Sequence, residues 1–382
     1  MLLKDIRYHQ KANITPKPLF DWIPLSSYTA IYYHMMVFLM LITFLHAYQN
    51  DLFNTSTKKF SAGMGFFLLT FICLYMGNRP VSGVFIDMTT YSYDYKKIQQ
   101  GYIPIIEKEY VFKYFMIFSA KIMNERWFFF LCGLIYTVPC YLFSKKYGGS
   151  YWYYIFFMFI GSFSFWAYGT NGIRNGLATS LFVLALYFYD RTIIMYVIMT
   201  LALGVHSSLI IPITAFIISG VYKRPKYYLY IWLAAIPLSL GGGSFWEGFF
   251  GGLGFGDDAR AGDYLTKGNI NNDQFAYTGF RWDFVFYSSF AVFAGWYYIF
   301  KKRVTDKFYI HLWGTYMMAN AFWILIIRAN FSNRFAYLSW FLMAPVIAYP
   351  LLRYKIFPNQ YRVVGVVIAV YYLFTYLMFL KG

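Results

Sequence analysis

Residues 169–191 read GTNGIRNGLATSLFVLALYFYDR, and this stretch decides the fold. Arg174 stands among glycines and asparagines, at the start of an apolar run that predicts a helix. Thr170 and Asn171 are good helix caps, and free backbone N–H groups beside an arginine favour an anion. A charge near the middle of a membrane-spanning helix costs about 2.5–3.5 kcal/mol, so we expect Arg174 to have a functional partner.

The composition extends this interpretation to the whole chain. Its 382 residues are 59% hydrophobic, 25% aromatic and 13% charged, whereas a soluble domain is roughly 45–50% apolar and about 25% charged. The apolar residues fall in blocks of roughly 15–20, which predicts an all-α polytopic membrane protein with about 12 transmembrane or half-membrane helices. The predicted spans are 29–48, 60–76, 127–143, 151–168, 173–189, 192–205, 207–221, 227–240, 282–300, 308–327, 335–352 and 362–380.

Short basic loops predict the orientation. SKKYGG, YKRPK, KKRVTDK and RYKIFPNQYR lie between apolar blocks, and loops of this kind stay in the cytoplasm. They account for the net charge of +17 without a nucleic-acid partner. Both termini and two long segments, 77–126 and 241–281, then lie outside. We take residues 1–28 as an N-terminal tail without a removable signal peptide and 29–382 as one integral membrane domain.

Two segments are not ordinary spans. The chain from Arg191 to Lys223 is too long for one straight span and short for two, so we predict that it turns back near Gly204 to Ser208. Non-helical backbone at that depth lines an enclosed, watery cavity. Residues 107–123, EKEYVFKYFMIFSAKIM, predict a helix in the membrane surface. Its apolar side is predicted to carry Tyr110, Phe112, Phe115, Phe118 and Ile122.

The external ends of the predicted spans are rich in arginine. These residues are Arg79, Arg174, Arg281, Arg328 and Arg334. A planar guanidinium matches two phosphate oxygens at once, so several converging arginines would hold a diphosphate. The alternative is that each is an interfacial arginine whose charge reaches water. The acidic neighbours Asp87 and Asp283 could pair with some of them.

Candidates for proton transfer lie on the same side. His206 sits at the predicted turn, and an ordinary histidine pKa of about 6.5 suits proton transfer or a hydrogen bond to a substrate hydroxyl. A hydrogen-bonded core histidine fits its position equally. The carboxylate candidates for a general base are Asp87, Glu109 and Asp283. The sequence GDDARAGDY, 256–264, could attract a divalent cation, but a solvated loop is the simpler interpretation. P-loop, GxGxxG and HExxH motifs are absent, so we expect no cofactor and no metal.

Several segments resemble the EpsG/Wzy-like polysaccharide polymerases. In that family an Arg and an Ala open one helix, as in 169–191, and a His with small neighbours follows, as in ALGVHSSLIIPITAFI, 202–217. Three further segments resemble the family in the same order and spacing. They are GNRPVSGVFIDMTTYSYDYKKI through Arg79, Asp87, Tyr91 and Tyr95, EKEYVF through Glu109 and Tyr110, and FSNRFAYLSWFLMAPVI through Asn333, Arg334 and Tyr337.

The resemblance implies a GT-C-like fold whose large external loops form a cavity for a lipid-linked glycan. A growing glycan on undecaprenyl diphosphate is then the donor, and the next lipid-linked repeat unit is the acceptor. A hydroxyl of the acceptor sugar attacks the anomeric carbon of the donor in a metal-independent, inverting displacement, and undecaprenyl diphosphate leaves. The implied location is the bacterial plasma membrane, with the site facing the exterior or periplasm. A chain-length regulator and a flippase are the implied protein partners.

The resemblance also gives the candidate residues roles. Charge on the leaving diphosphate would be stabilised by Arg174, together with Arg79, Arg281, Arg328 or Arg334. The acceptor hydroxyl would be oriented or deprotonated by His206, Asp87 or Glu109. The glycan would be bound by Tyr91, Asn171 and Asn333. The remaining external aromatic residues, which are Tyr93, Tyr95 and Trp282, could contact sugars or form a membrane-interface belt.

Three other functions use similar residues. A ligase would move finished glycan from the same lipid to a different acceptor. A flippase for lipid-linked sugars also needs a basic cavity, but it should show polar gates on both faces, whereas the candidate residues lie on one side. A membrane acetyltransferase would need His206 near the cytoplasmic face, against the predicted orientation.

Overall fold

The computed structural model describes residues 19–104, 106, 108–250, 279–329 and 332–381, and all regular structure in these ranges is helical, as predicted. In chain order the helices are α1 (Leu25–Gln49), α2 (Thr55–Gly77), α3 (Ile86–Gln99), α4 (Tyr110–Ile122), α5 (Glu125–Gly148), α6 (Trp152–Ile160), α7 (Phe163–Asn171), α8 (Ile173–Tyr187), α9 (Thr192–Val205), α10 (Ile210–Val221), α11 (Pro225–Phe250), α12 (Trp282–Trp296), α13 (Lys307–Leu325), α14 (Ser332–Trp340), α15 (Met343–Arg353) and α16 (Gln360–Lys381). Short 3₁₀ turns cover Gly149–Tyr151 and Ser207–Leu209, and a π-helical turn covers Tyr297–Lys301.

Among the described residues, six helical stretches are long and apolar enough to cross a membrane, which indicates a multi-pass membrane protein. They are Leu25–Gln49, Thr55–Gly77, Glu125–Ile160, Pro225–Phe250, Ser332–Arg353 and Gln360–Lys381. The predicted spans are helical, but 151–168 is interrupted at Gly161 and Ser162 and 335–352 at Phe341 and Leu342. The predicted number of spans and the GT-C-like arrangement stay predictions.

The basic loops meet at one end of the helix bundle. Lys146 pairs with Asp190 at 2.5 Å, and Asp306 accepts a hydrogen bond from the Tyr354 hydroxyl at 2.8 Å. The first contact ties the loop SKKYGG to the end of α8, and the second joins KKRVTDK to RYKIFPNQYR. The Tyr147 ring of SKKYGG also stacks on Phe308, which directly follows KKRVTDK, with ring centroids 4.3 Å apart. The fourth loop follows Gly220, which packs against the His311 ring near the start of α13. The four loops therefore share one end, as predicted, and we refer to it as the basic end; the side of the membrane on which it lies stays a prediction.

The buried side chain of Asn320 joins four helices of the bundle through hydrogen bonds. Asn320 on α13 is fully buried, and its amide donates to Ser288 on α12 at 3.1 Å and to Ser339 on α14 at 2.9 Å. Its Oδ1 accepts a hydrogen bond from the Trp232 indole on α11 at 2.7 Å. Polar side chains that bond between helices stabilise membrane bundles where apolar burial does not. Asn320 thus ties together four helices.

The segment 77–126, predicted to be external, forms α3 and α4. The prediction of one apolar side for α4 is wrong, because Phe112 is buried whereas Tyr110, Phe118 and Ile122 are exposed. Successive helical residues differ by about 100°, so residues two apart face nearly opposite directions. α4 is therefore apolar on both faces, with Phe112 packed against the protein and a stripe of exposed residues on its outer side.

The ends of two predicted segments differ from the structure. α1 begins at Leu25, four residues before the predicted span, and residues 1–18 lie outside the described ranges. α11 continues to Phe250 beyond a kink at Gly242, where φ is −147° and ψ is 32°. The acidic loop 256–264 belongs to residues 251–278, which also lie outside the described ranges.

Candidate active site

A tight elbow between α7 and α8 positions Arg174. Gly172 is the N-cap residue of α8, so Arg174 lies in the first turn of the helix. Gly176 lets this turn lie against α7, because a Cβ at Gly176 would be 2.7 Å from the carbonyl oxygen of Tyr168. The elbow therefore presents the side chains of Arg174 and its neighbour at the end of the bundle opposite the basic loops.

The predicted capping of α8 by Thr170 and Asn171 is wrong. Both residues belong to the last turn of α7, and Gly172 has no side-chain cap to offer. The Thr170 hydroxyl donates instead to the carbonyl oxygen of Trp166 at 2.8 Å. This back-bond within a helix competes with capping of the next one. Asn171 is exposed at the end of α7.

Arg174 has a buried protein counter-ion. Its Nη1 donates to Oε2 of Glu109 in an ion pair. Arg174 keeps 28% of its side-chain surface exposed, whereas Glu109 keeps only 6%. The Tyr91 ring centroid lies 5.9 Å from the guanidinium carbon, within the range of a cation–π contact. Within the described ranges Arg174 Nε has no hydrogen-bond partner, so the guanidinium retains a donor that an anion could use.

Glu109 reaches Arg174 from a strained backbone position. It precedes α4 with φ 58° and ψ 46°, in the left-handed region. That conformation costs a residue other than glycine on the order of 1–3 kcal/mol and clusters at functional sites. Its second carboxylate oxygen, Oε1, is buried without a hydrogen-bond partner among the described residues. Leaving a buried acceptor unpaired is costly, which makes this oxygen a place where a substrate hydroxyl could donate.

A glycine on α9 allows α4 to approach the site. A Cβ at Gly204 would lie only 2.5 Å from Cγ2 of Val111. Glu109 precedes Val111 by two positions and His206 follows Gly204 by two, so this close contact brings their side chains together. His206 Nε2 lies 3.4 Å from the unpaired Oε1 of Glu109.

His206 occupies the predicted break between α9 and the 3₁₀ turn, which the structure confirms. Its ring accepts a hydrogen bond at Nδ1 from the backbone N–H of Ser208 at 3.2 Å, and the Ser208 hydroxyl lies 2.7 Å from the same nitrogen. That hydroxyl donates a hydrogen bond to Oδ1 of Asn175 at 3.1 Å. We call Arg174, Asn175, Glu109, His206 and Ser208 the Glu109 cluster.

Arg334 adds a second cation beside this cluster. The charges of Arg174 and Arg334 both act on the His206 ring. The hydroxyl of Tyr168 donates to the Arg334 carbonyl oxygen at 3.0 Å, which holds the start of α14 against α7. Two of the five predicted arginines therefore lie around one histidine.

Arg281 and Arg334 both lie near the Tyr337 hydroxyl. The charges of both arginines act on the Tyr337 hydroxyl, which also contacts the Asn333 amide at 3.5 Å. Arg281 makes a two-bond ion pair with Asp283, at 2.9 and 2.7 Å, as predicted for one of the acidic neighbours. Asp283 thereby balances the Arg281 charge.

Arg79 lies just beyond the end of α2, where the charge of Asp87 acts on it. Arg79 is buried, and its Nη1 donates to the carbonyl oxygen of Met76 at 2.6 Å. Burial lowers the pKa of Arg79 to about 10, against the opposite effects of Cys132, Tyr28 and Asp87, so it is charged at neutral pH. Of the three predicted bases, Glu109 lies beside both Arg174 and His206. Asp283 pairs with Arg281, and the charge of Asp87 acts on Arg79.

The other predicted residues lie on several different elements. Arg328 donates to the carbonyl oxygen of Leu240 on α11 at 3.5 Å. Tyr91 is largely buried beneath Arg174, whereas Tyr93 and Trp282 are exposed. Tyr95 is buried and donates to the carbonyl oxygen of Met123 at 3.0 Å. Of these aromatic residues, Tyr91 therefore contacts the Glu109 cluster directly.

Sequence reasoning gave no role in the site to Asn175, Ser208 or Gly204, although Gly204 and Ser208 bounded the predicted turn. Asn175 directly follows Arg174, and Ser208 lies in the small-residue turn that contains His206. Their positions in the chain, next to Arg174 and close to His206, were the signal that could have identified Asn175 and Ser208. The contact of Gly204 with Val111 depends on how α4 packs on α9, and no local pattern carries that information.

The fold and this cluster define a helical, multi-pass membrane protein with a buried arginine–carboxylate–histidine site at the end opposite its basic loops. The chain belongs to the EpsG family, which residues 62–381 match. The match includes the whole Glu109 cluster and Arg334. Membership indicates a polysaccharide polymerase of the Wzy type. A search of curated proteins and a search of solved structures found no match to the chain.

Proposed function

We propose that this protein polymerises glycan repeat units carried on undecaprenyl diphosphate, at the external face of the bacterial plasma membrane. The observation that carries the proposal is the meeting of Arg174, Glu109 and His206 from three separate segments in a member of the EpsG family. Transfer of a glycan from a lipid diphosphate requires a cationic group that binds the diphosphate, beside a group that accepts the proton of the acceptor hydroxyl.

The diphosphate of the donor binds at Arg174, with Arg334 as the second cation. Charge develops on the leaving diphosphate as its bond to the sugar breaks, and a positioned guanidinium stabilises that charge more strongly in a dry site than in water. Without a bound diphosphate, the Glu109 carboxylate forms an ion pair with the Arg174 guanidinium. The diphosphate therefore exchanges with Glu109 on the guanidinium, and a carboxylate that gives up an arginine partner binds a proton more readily.

The carboxylate and the imidazole then act on the acceptor. A hydroxyl of the acceptor sugar lies at Oε1 of Glu109, near Nε2 of His206, and gives up its proton there. Its oxygen forms a bond to the anomeric carbon of the donor. The bond from that carbon to the diphosphate oxygen breaks, and undecaprenyl diphosphate leaves with the bonding electron pair. One glycosidic bond is made for each lipid diphosphate released.

The basic end supports an external location for the site. Positively charged loops are retained in the cytoplasm, and the Glu109 cluster belongs to the opposite end of the bundle. Cysteine labelling tests this with two exposed positions, Ser207 beside the site and Lys223 in a basic loop. Impermeant reagent added outside should label a cysteine at 207 and not one at 223. Labelling of both from the cytoplasmic side would overturn the orientation.

The activity is tested by incubating purified protein with synthetic undecaprenyl-diphosphate repeat units, without nucleotide or added metal. The expected products are a glycan ladder and free undecaprenyl diphosphate. Arg362→Ala, a substitution near the basic end where Arg362 donates to the Tyr48 carbonyl oxygen, is the matched control and should leave the ladder intact. Absence of a ladder with several repeat units, together with lipid translocation in vesicles, would replace polymerisation by flipping.

A further inference from the structure

The last turns of α11 face the end of α13. Gly243 is buried, and a Cβ there would lie 3.3 Å from Cδ and 3.4 Å from Nη1 of Arg328, which follows α13. The ring of Phe250 packs edge-on against Phe322 of α13, with centroids 4.6 Å apart. Glu247 comes four residues after Gly243 and three before Phe250, so it lies on the same face of the helix. The Glu247 side chain therefore faces Arg328.

This second arginine and carboxylate carry unused hydrogen-bonding capacity. The charge of Arg328 acts on the Glu247 carboxylate. Within the described ranges, Oε1 of Glu247 is nevertheless buried without a hydrogen-bond partner. Arg328 is exposed, and its Nη2 donates to the Leu240 carbonyl oxygen at the long distance of 3.5 Å. Because an unpaired buried acceptor is costly, Oε1 of Glu247 is a place where a ligand could donate a hydrogen bond.

The opposite charges of the two side chains select the class of ligand. An anion would be attracted by Arg328 and repelled by Glu247, and a cation would meet the reverse. A sugar ring suits both side chains, because a hydroxyl group can donate one hydrogen bond and accept others. One sugar hydroxyl would donate to Oε1 of Glu247, and a neighbouring hydroxyl would accept from the Arg328 guanidinium.

Aromatic rings flank the two charged side chains. Trp246 directly precedes Glu247, and its ring stacks on Phe250 with centroids 6.2 Å apart. The indole N–H donates to the Leu238 carbonyl oxygen at 3.2 Å, which holds the ring across the kink at Gly242. The C–H face of a sugar ring packs on an aromatic ring. A few placed polar groups among aromatic side chains are the usual composition of a small-molecule site.

These residues lie at the same end of the bundle as the Glu109 cluster. Both α11 and α13 begin beside basic loops, so Glu247 and Arg328 belong to the opposite end. Arg334, the second cation of the proposed diphosphate site, follows Arg328 by six positions. Their Cα atoms are therefore at most about 22 Å apart. A glycan of several sugars that is bound at Arg334 through its diphosphate can reach this distance.

We propose that Glu247 and Arg328, with Trp246 and Phe250 beside them, form a second subsite that binds a sugar residue of the lipid-linked glycan away from the bond being made. The inference rests on the proposed function for the identity of the glycan. The sugar belongs either to the growing donor chain or to the acceptor repeat unit, and the chemistry of recognition is the same for both.

Binding is measured on the full chain in nanodiscs with two probes. One is the oligosaccharide that mild acid releases from the lipid-linked repeat units of the producing cell, followed by ligand-observed NMR. The other is undecaprenyl diphosphate without sugar. Glu247→Gln should weaken oligosaccharide binding about fivefold, because a charged acceptor bonds roughly twice as strongly as a neutral one. Arg328→Gln should weaken it about tenfold. Neither variant should change the Kd of undecaprenyl diphosphate.

Glu125→Gln provides a matched control. Glu125 begins α5 at the same end of the bundle and pairs with Lys96 at 3.2 Å, so this variant makes the same change away from Arg328. It should leave the binding of both probes unchanged. If Glu247→Gln and Arg328→Gln also leave oligosaccharide binding unchanged, or lower it only as far as thermal melts show a loss of folded protein, the pair is a structural contact and the proposal is wrong.

The ladder assay separates the two sources of the sugar. A subsite for the growing donor chain predicts shorter ladders from Glu247→Gln. A subsite for the acceptor predicts a KM for repeat units about five times higher, with kcat and ladder length unchanged. An unchanged KM together with an unchanged ladder overturns the proposal. A chain that binds the oligosaccharide through Glu247 but makes no ladder would refute polymerisation and leave the subsite standing.

Discussion

Replacing Glu109 by glutamine should strengthen diphosphate binding while it abolishes most turnover. Glutamine has nearly the same shape but no charge, so it removes the anion that competes for Arg174. A hydrogen bond to a charged group contributes about 1.5–3 kcal/mol. Water screens part of this, because Arg174 keeps 28% of its side-chain surface exposed. About 1.4 kcal/mol remains, which corresponds to a tenfold change in affinity.

The two consequences of Glu109→Gln are measured separately. Binding of undecaprenyl diphosphate to protein in nanodiscs, followed by calorimetry, should show a Kd about ten times lower than wild type. The rate of ladder growth at saturating substrate should fall about 100-fold or more, because general base catalysis is lost. Asp190→Asn is the control, since it removes a carboxylate from an exposed ion pair with Lys146 at the basic end.

Two results would contradict this reasoning, one for each consequence. If Glu109→Gln binds undecaprenyl diphosphate more weakly than wild type, Glu109 orients Arg174 for the ligand and does not compete with it. If binding tightens but turnover is unchanged, the competing anion is real and the base lies elsewhere. Asp190→Asn should leave both Kd and kcat within twofold of wild type.

Four further predictions address the site and the bundle. Arg174→Lys should lose at least tenfold in kcat/KM while the protein still inserts, because an ammonium lacks the planar fork that grips two phosphate oxygens; recovery of wild-type kinetics would contradict this. Gly204→Ala should reduce activity because its Cβ meets Val111 Cγ2 at 2.5 Å, and Val111→Ala in the same chain should restore it; a double variant no better than the single one would exclude this contact as the cause. Asn320→Ala should lower the free energy of unfolding by about 1–3 kcal/mol in a denaturation assay, because partners on three helices lose a buried hydrogen bond; an unchanged midpoint would contradict the role of Asn320. Burial raises the pKa of Asp306, but hydrogen bonds from the Tyr349 hydroxyl, the Tyr309 N–H and the Tyr354 hydroxyl outweigh burial and hold that pKa below 3.8. The ionised Asp306 carboxylate therefore stabilises the folded protein above pH 3.8, and this contribution is lost as the pH falls through the lowered pKa. Thermal melts should show that loss in wild type and not in Asp306→Asn.

The sequence was sufficient for the all-helical, membrane-spanning class and for Arg174 and His206. Long apolar blocks leave few alternatives in a bilayer, and an arginine or a histidine stands out where apolar residues surround it. Glu109 was one of three carboxylates, with Asp87 and Asp283, that the sequence offered as a general base, and its local pattern did not distinguish it from the other two. The break at His206 followed from a length argument, because the chain between two basic loops had to turn back.

The arrangement of the site could not be predicted in the same way. Arg174 and Glu109 are 65 positions apart along the chain, and their meeting depends on the fit of Val111 against Gly204. The incorrect capping prediction for Thr170 has a related cause. Its hydroxyl could cap α8 or donate to a carbonyl oxygen within α7, and because α7 continues through Thr170 the second bond forms. The buried side of α4 was also set by packing, which the mixed apolar pattern of that helix left open.

The most direct test of the proposed polymerisation is the ratio of glycosidic bonds formed to undecaprenyl diphosphate released. Purified protein is given repeat units that carry a radiolabel in the lipid phosphate, and the ladder and the free lipid diphosphate are quantified from the same reaction. The mechanism predicts one lipid diphosphate released for each bond formed, with both products lost together in Arg174→Ala. Release of lipid diphosphate without growth of the ladder would identify a hydrolase and contradict the proposal.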